Sequence, residues 1–173
     1  MKRVDKKIRG NTKGQIALSF GMIFSIILII IFVVVAFYAI TKFLDLQKDI
    51  QVKQFTTNLQ RDVNNIWQGS QGSQEVIYKL PKKIKAVCFV NFSDSDRGID
   101  SGIFNELRPL YEDNVAFYPA LGVKGSTSFN LENINLREMT STNNPFCIQI
   151  LNGEIKMKIV MNPDEALARI VKI

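Results

Sequence analysis

The strongest pattern along the chain is a run without charge. Residues 16–40 hold no Asp, Glu, Lys or Arg, and only Ser19, Gly21 and Ser25 interrupt the large apolar side chains near its start. At 1.5 Å per residue such a segment reaches roughly 37 Å as a helix, enough to cross a ~30 Å hydrocarbon core with tilt. Lipid offers the backbone no hydrogen-bond partner, so helix is expected there despite the many Ile and Val residues. A secretory signal peptide has a shorter apolar region, about 7–15 residues, and ends at a cleavage site of small residues. Here Tyr38-Ala39-Ile40-Thr41-Lys42 leads straight into a second pattern.

Beyond residue 41 the periodicity becomes that of an amphipathic helix. Val52, Phe55, Leu59, Val63 and Ile66 recur three or four residues apart, with polar side chains between them. This stripe packs on the chain's own domain or forms a subunit–subunit seam, two roles that can coexist along one helix. Asp49 and Lys53 are placed as an i,i+4 ion pair on the same helix. Gly69-Ser70-Gln71-Gly72-Ser73-Gln74 then ends it as a turn-forming stretch.

From residue 75 onward the chain alternates with period two. Residues 75–80 and 84–92 are expected as strands, separated by a turn at Pro81-Lys82-Lys83. Residues 146–151 and 154–161 flank Asn152-Gly153, the dipeptide preferred in two-residue type I′ hairpins. In that register Ile150 faces Ile155, Ile148 faces Met157 and Phe146 faces Ile159, while Cys147 and Gln149 fall on the polar face. A short helix near residues 104–111, a strand at 115–118 and a last short helix beginning at Asn162-Pro163-Asp164-Glu165 complete the expectation. The fold class is α+β: a long N-terminal helix, transmembrane then amphipathic, followed by a mostly antiparallel β-sheet head. Its parts are a basic leader (1–14), a membrane helix (15–41), an amphipathic extension (42–68) and a head domain (75–173).

Charge assigns the orientation. The formal net charge is +6, but Lys2, Arg3, Lys6, Lys7, Arg9 and Lys13 against Asp5 place +5 of it in residues 1–14 and leave +1 for the rest. A basic tail before an apolar span marks the cytoplasmic side, so the head is expected outside the cytoplasm in a single-pass cell-membrane protein. The head lacks the basic excess that nucleic-acid binding requires.

The chain contains no histidine, which removes the commonest general base and metal ligand. Cys88 and Cys147 are far apart in sequence and in no Cys-x-x-Cys arrangement, which disfavours zinc and dithiol redox chemistry. Outside the cytoplasm they are expected as a disulfide, with two free thiols as the alternative. Asp94, Asp96 and Asp100 crowd around Gly98, but Gly98, Ile99 and Asn105 fill the fifth, sixth and twelfth positions of an EF-hand loop, so the calcium pattern fails. Asn91-Phe92-Ser93 is an N-glycosylation sequon, a short motif that also occurs by chance. An enzyme would need a mechanism built on carboxylates or a cysteine. Neither enzymatic activity, a cofactor nor a metal is expected.

The junction Lys13-Gly14-Gln15-Ile16-Ala17-Leu18-Ser19-Phe20 resembles an archaeal class III signal peptide of the type found on type IV pilin-like proteins. The resemblance covers about 55 residues in order and character, with a basic leader, a Lys-Gly-Gln junction and an apolar helix leading into a β-rich head. It implies processing between Gly14 and Gln15 by a prepilin-type peptidase, and association with other membrane helices. Ser19 stands where the family usually carries Glu, which directs the resemblance toward a minor pilin or pseudopilin. Ala17, Gly21 and Ser25 form a ladder of small residues on one helix face, which suits close helix approach. The alternative is an uncleaved single-pass protein whose head is a binding module.

Overall fold

The computed structural model describes residues 20–120 and 128–173. Gly14, Gln15, Ala17 and Ser19 lie outside the described residues. The chain divides into two units, Met1–Lys42 and Phe43–Ile173. Among the described residues ten elements follow one another: α1 (Phe20–Gln68), β1 (Gly72–Lys79), β2 (Ala86–Phe89), α2 (Ser101–Leu107), β3 (Val115–Tyr118), β4 (Ser128–Phe129), α3 (Leu136–Met139), β5 (Phe146–Gln149), β6 (Glu154–Met161) and β7 (Arg169–Lys172). A long helix precedes antiparallel sheets, so the α+β expectation holds.

In the first unit the described residues belong to α1, which is long and apolar enough to cross a membrane, and none of its most apolar window is buried. The second unit contains the rest of α1 and both sheets. Here Val52, Phe55, Leu59 and Val63 are buried and Ile66 packs beside them. The stripe is thus covered by the chain's own head, which settles the choice between intramolecular packing and a subunit seam for these residues. Phe55 sits at its centre, with ring centroids 5.3 Å from Tyr78, 5.8 Å from Phe117 and 6.2 Å from Phe129. The ion pair near the start of this unit joins Lys48 to Asp45 at 2.8 Å rather than Asp49 to Lys53.

One sheet has the order β1-β6-β7 and the other β4-β3-β2-β5, with every neighbouring pair antiparallel. The three-stranded sheet buries one face, carrying Val76, Tyr78, Ile155, Met157, Ile159, Met161 and Ile170. This is the alternation expected of an antiparallel sheet with one wet side. The four-stranded sheet is covered on both sides. Val87, Phe89, Val115, Phe117 and Ile148 join the main core, while Ala86, Cys88, Val90, Ala116 and Cys147 form a second cluster under Phe104 and Leu107 of α2.

Several sequence expectations need correction. Residues 146–149 and 154–161 do not form a hairpin sheet, because β5 pairs with β2 and β6 pairs with β1 and β7. The Asn152-Gly153 turn itself is present, with φ of 55° and 81° and reciprocal backbone bonds of 2.9 Å between Leu151 and Glu154. Beyond that single bridge the strands part, because β1 supplies an eight-residue partner for the whole of β6, from Gly72↔Met161 to Lys79↔Glu154. Ile148, Ile155, Met157 and Ile159 still share one core, but they reach it from two sheets. Cys147, placed on a polar face, is 1% exposed because α2 covers that side of the sheet.

β1 begins at Gly72, three residues earlier than expected from residue 75. The last helix is absent: Asn162 starts a turn in which the Glu165 carboxylate accepts from the Asn162 backbone N–H at 2.9 Å, and β7 comes next. These bonds, led by the Asn162 N–H, hold the Glu165 carboxyl below its ordinary range.

Candidate functional site

Three features could carry function, and the first is the exposed apolar surface of α1. Of the proposed helix-association residues, Gly21 and Ser25 are described and Ala17 is not. The Ser25 hydroxyl donates to the Gly21 carbonyl at 2.8 Å, so its polar group is satisfied within the helix and the face stays small and apolar. In the second unit Phe43, Leu46 and Ile50 remain exposed. Their spacing of three and four places them on the side of α1 roughly opposite the buried Val52–Phe55–Leu59–Val63 stripe. One helix therefore carries two apolar stripes, and only one of them has a cover.

The second feature is the disulfide. Cys88 and Cys147 are bonded, with their Cα atoms 4.0 Å apart, and they are direct partners in the β2–β5 register. The neighbouring Ile150 N–H to Lys85 carbonyl bond of 2.8 Å fixes the alternation and makes Cys88↔Cys147 a non-hydrogen-bonded pair, where Cα atoms approach most closely. Both residues are essentially inaccessible, at 0% and 1% exposure.

The third feature is the turn carrying Asn91-Phe92-Ser93. β2 ends at Phe89, so Asn91 lies in the turn after the strand rather than within it. The Asn91 Oδ1 accepts from the Ser93 backbone N–H at 3.2 Å, and the Asn91 carbonyl accepts from the Asp94 N–H at 3.2 Å. This is an Asx-turn nested in a β-turn. Asn144, fully buried, holds it from beneath. Its Oδ1 accepts from the Asn91 N–H at 3.0 Å, and its Nδ2 donates to the carbonyls of Asn91 at 2.9 Å and Ser95 at 3.0 Å. The Phe92 ring packs 5.6 Å from Phe104 of α2. Nothing in the sequence pattern singled out Asn144; the only local sign was its position before Pro145, where helix is disfavoured.

The acidic loop next to this turn does not assemble a metal site. Asp94 is ion-paired with Arg97 and accepts from the Ser95 N–H at 2.8 Å. These contacts, the Ser95 bond first, hold its carboxyl below the ordinary value. Among the described residues no group of three or more potential ligands stands close enough to hold a metal ion. A depression of about 430 Å³ opens beside β5 and β6, lined by Cys147, Gln149, Leu151, Glu154, Lys156 and Lys172 among others. A wider groove of about 640 Å³ runs along α1 past Thr57, Gln60, Arg61 and Asn64. Both linings are mixed, and neither places a nucleophile against a general base.

No protein-family model matches the chain, and no curated protein or solved structure matches it.

Proposed function

We propose that this chain is a membrane-anchored, pilin-like structural protein, a minor pilin or pseudopilin of an archaeal type IV pilus-like assembly. In this reading its N-terminus is cytoplasmic and its head extracytoplasmic. The observation that carries the proposal is the division of labour along α1: an uncovered apolar surface from Phe20 onward, then a stripe from Val52 packed on a β-rich head. The basic leader and the Lys13-Gly14-Gln15 junction add to it. The buried disulfide suits an oxidising compartment. Partners in this role are the lipid bilayer, other membrane helices meeting Ala17, Gly21, Ser25 and the Phe43–Leu46–Ile50 side, and a prepilin-type peptidase. The role needs neither catalytic chemistry nor a cofactor.

Ser19 favours an accessory position over that of a major subunit. The family's Glu at that place answers the terminal amine of a neighbouring subunit, and a buried amine without a counter-charge is costly. The test is intact mass and N-terminal peptide mapping of protein purified from its native membrane. A chain beginning at Gln15, or at its pyroglutamate form, is expected. A chain retaining residues 1–14 would remove the pilin-like reading and leave an uncleaved single-pass protein whose head is a binding module.

A further inference from the structure

We infer that Asn91 is an N-glycosylation site, used on a head that faces away from the cytoplasm; the inference rests on the proposed orientation. Of all the asparagines in the chain, only Asn91 stands two residues before a Ser or Thr without an intervening Pro. The fold then presents this sequon in a form suited to modification. The turn lies at the surface, with Ser93 exposed and Asn91 partly so. The Asx-turn bond from the Ser93 N–H engages Asn91 Oδ1 and folds residue 93 back toward the side-chain amide. Asn91 Nδ2, the atom that would be glycosylated, donates to no acceptor among the described residues. Beneath it, Asn144 and the Phe92–Phe104 contact fix the backbone, so the amide is held outward on a rigid support.

The transfer balances as a substitution at the anomeric carbon of a lipid-linked oligosaccharide phosphate. The bond from sugar C1 to the phosphate oxygen breaks as a bond from C1 to Asn91 Nδ2 forms. One Nδ2 proton passes to a carboxylate of the transferase, and the lipid phosphate leaves with the electron pair. A glycan there would cover the acidic turn and the adjoining end of β2 without entering either core cluster. Neither Ser93 nor the Asn91 side-chain Nδ2 contributes a hydrogen bond to the core among the described residues, so the modification asks nothing of the fold.

The test uses the full-length protein from its native membrane, reduced and digested with trypsin, with mass measurement of the peptide spanning residues 86–97. A mass excess in sugar increments, located on Asn91, is expected. It should be lost in Ser93→Ala and in Asn91→Gln and kept in Ser93→Thr, with the Cys88–Cys147 bond intact in all three. Finding the peptide only at its unmodified mass overturns the inference. Protease added outside intact cells identifies the cause. A digested head with unmodified Asn91 means that the site alone was misread; a protected head means that the orientation failed first.

Discussion

Tyr78 on β1 donates its phenolic hydrogen to Asp62 Oδ2 on α1 at 2.7 Å, joining the helix to the sheet just above the Phe55 ring cluster. Tyr78→Phe keeps the ring against Phe55 and removes only this bond to a charged acceptor. A loss of roughly 1–3 kcal/mol is expected, measurable as a lower urea midpoint with unchanged slope.

The same pair predicts a pH effect. Burial first, and the Asp62 carboxylate second, push the Tyr78 phenol well above its ordinary value of 10.0. The folded chain therefore keeps this proton when the unfolded chain has released it. The resulting stabilisation is complete below about pH 10 and is lost progressively as pH rises beyond that value. Urea midpoints of wild type and Tyr78→Phe should converge as pH is raised from 9 to 11; a constant gap would contradict the assignment.

The Cys88–Cys147 bond closes a loop with a sequence separation of 59 residues. On the chain-entropy model its removal costs roughly 4 kcal/mol, so the double variant Cys88→Ser/Cys147→Ser should melt far below wild type. Because both sulfurs are buried, reductant alone should act slowly on the folded head. Thiol labelling after reductant treatment should accelerate sharply once denaturant opens the sheet.

Two glycines should respond in opposite directions to alanine. Gly98 has φ of +81°, and a Cβ there would lie 2.0 Å from Asn143 Oδ1, the atom that accepts from the Ile99 N–H. Gly98→Ala should destabilise by about 2 kcal/mol. Gly102 lies within α2, and a Cβ there meets nothing within 4 Å. Gly102→Ala should stabilise by about 0.5–1 kcal/mol. Thermal melts of the two variants decide both.

Asn144→Ala removes three hydrogen bonds from a fully buried site. Loss of about 2–4 kcal/mol is expected, together with faster amide exchange at Asn91. Exchange unchanged at Asn91 would show that the turn holds without this support.

The legible parts of this chain were those governed by one segment at a time. The charge-free run, described from Phe20 onward, declares itself by length and the Val52–Phe55–Leu59–Val63 stripe by its period, and each is helix in α1. The strand at Val115–Tyr118 was expected at its observed bounds. The pairing of β5 and β6 was misread because alternation records which side chains face a core, not which strand edge is bonded. Ile148 and Met157 satisfy the same pattern whether they are neighbours in one sheet or meet from two. Only the competing eight-residue β1 decides the matter, and that competition is not local. β4, with two residues, and α3, with four, are too short to show any period. Asn162-Pro163-Asp164-Glu165 imitates a helix start, but no apolar period comes after it, and Glu165 folds back on Asn162 and pairs with Arg169 at 2.6 Å. At the candidate glycosylation turn the sequon was visible, whereas its buried support, Asn144, depended on a contact across 53 residues.

The parting of β5 and β6 also sets an order of events during synthesis. Val52, Phe55 and Leu59 leave the ribosome well before Ile155, Met157, Ile159 and Ile170, which share their core. β1 must likewise wait for β6: Lys79↔Glu154 is the first pair that synthesis makes available and Gly72↔Met161 the last. Until then β1 lacks its partner strand, and the helix stripe has only the share of its cover that the four-stranded sheet supplies. A nascent chain stopped before residue 154 would hold every strand of the four-stranded sheet but leave β1 without the strand it pairs with.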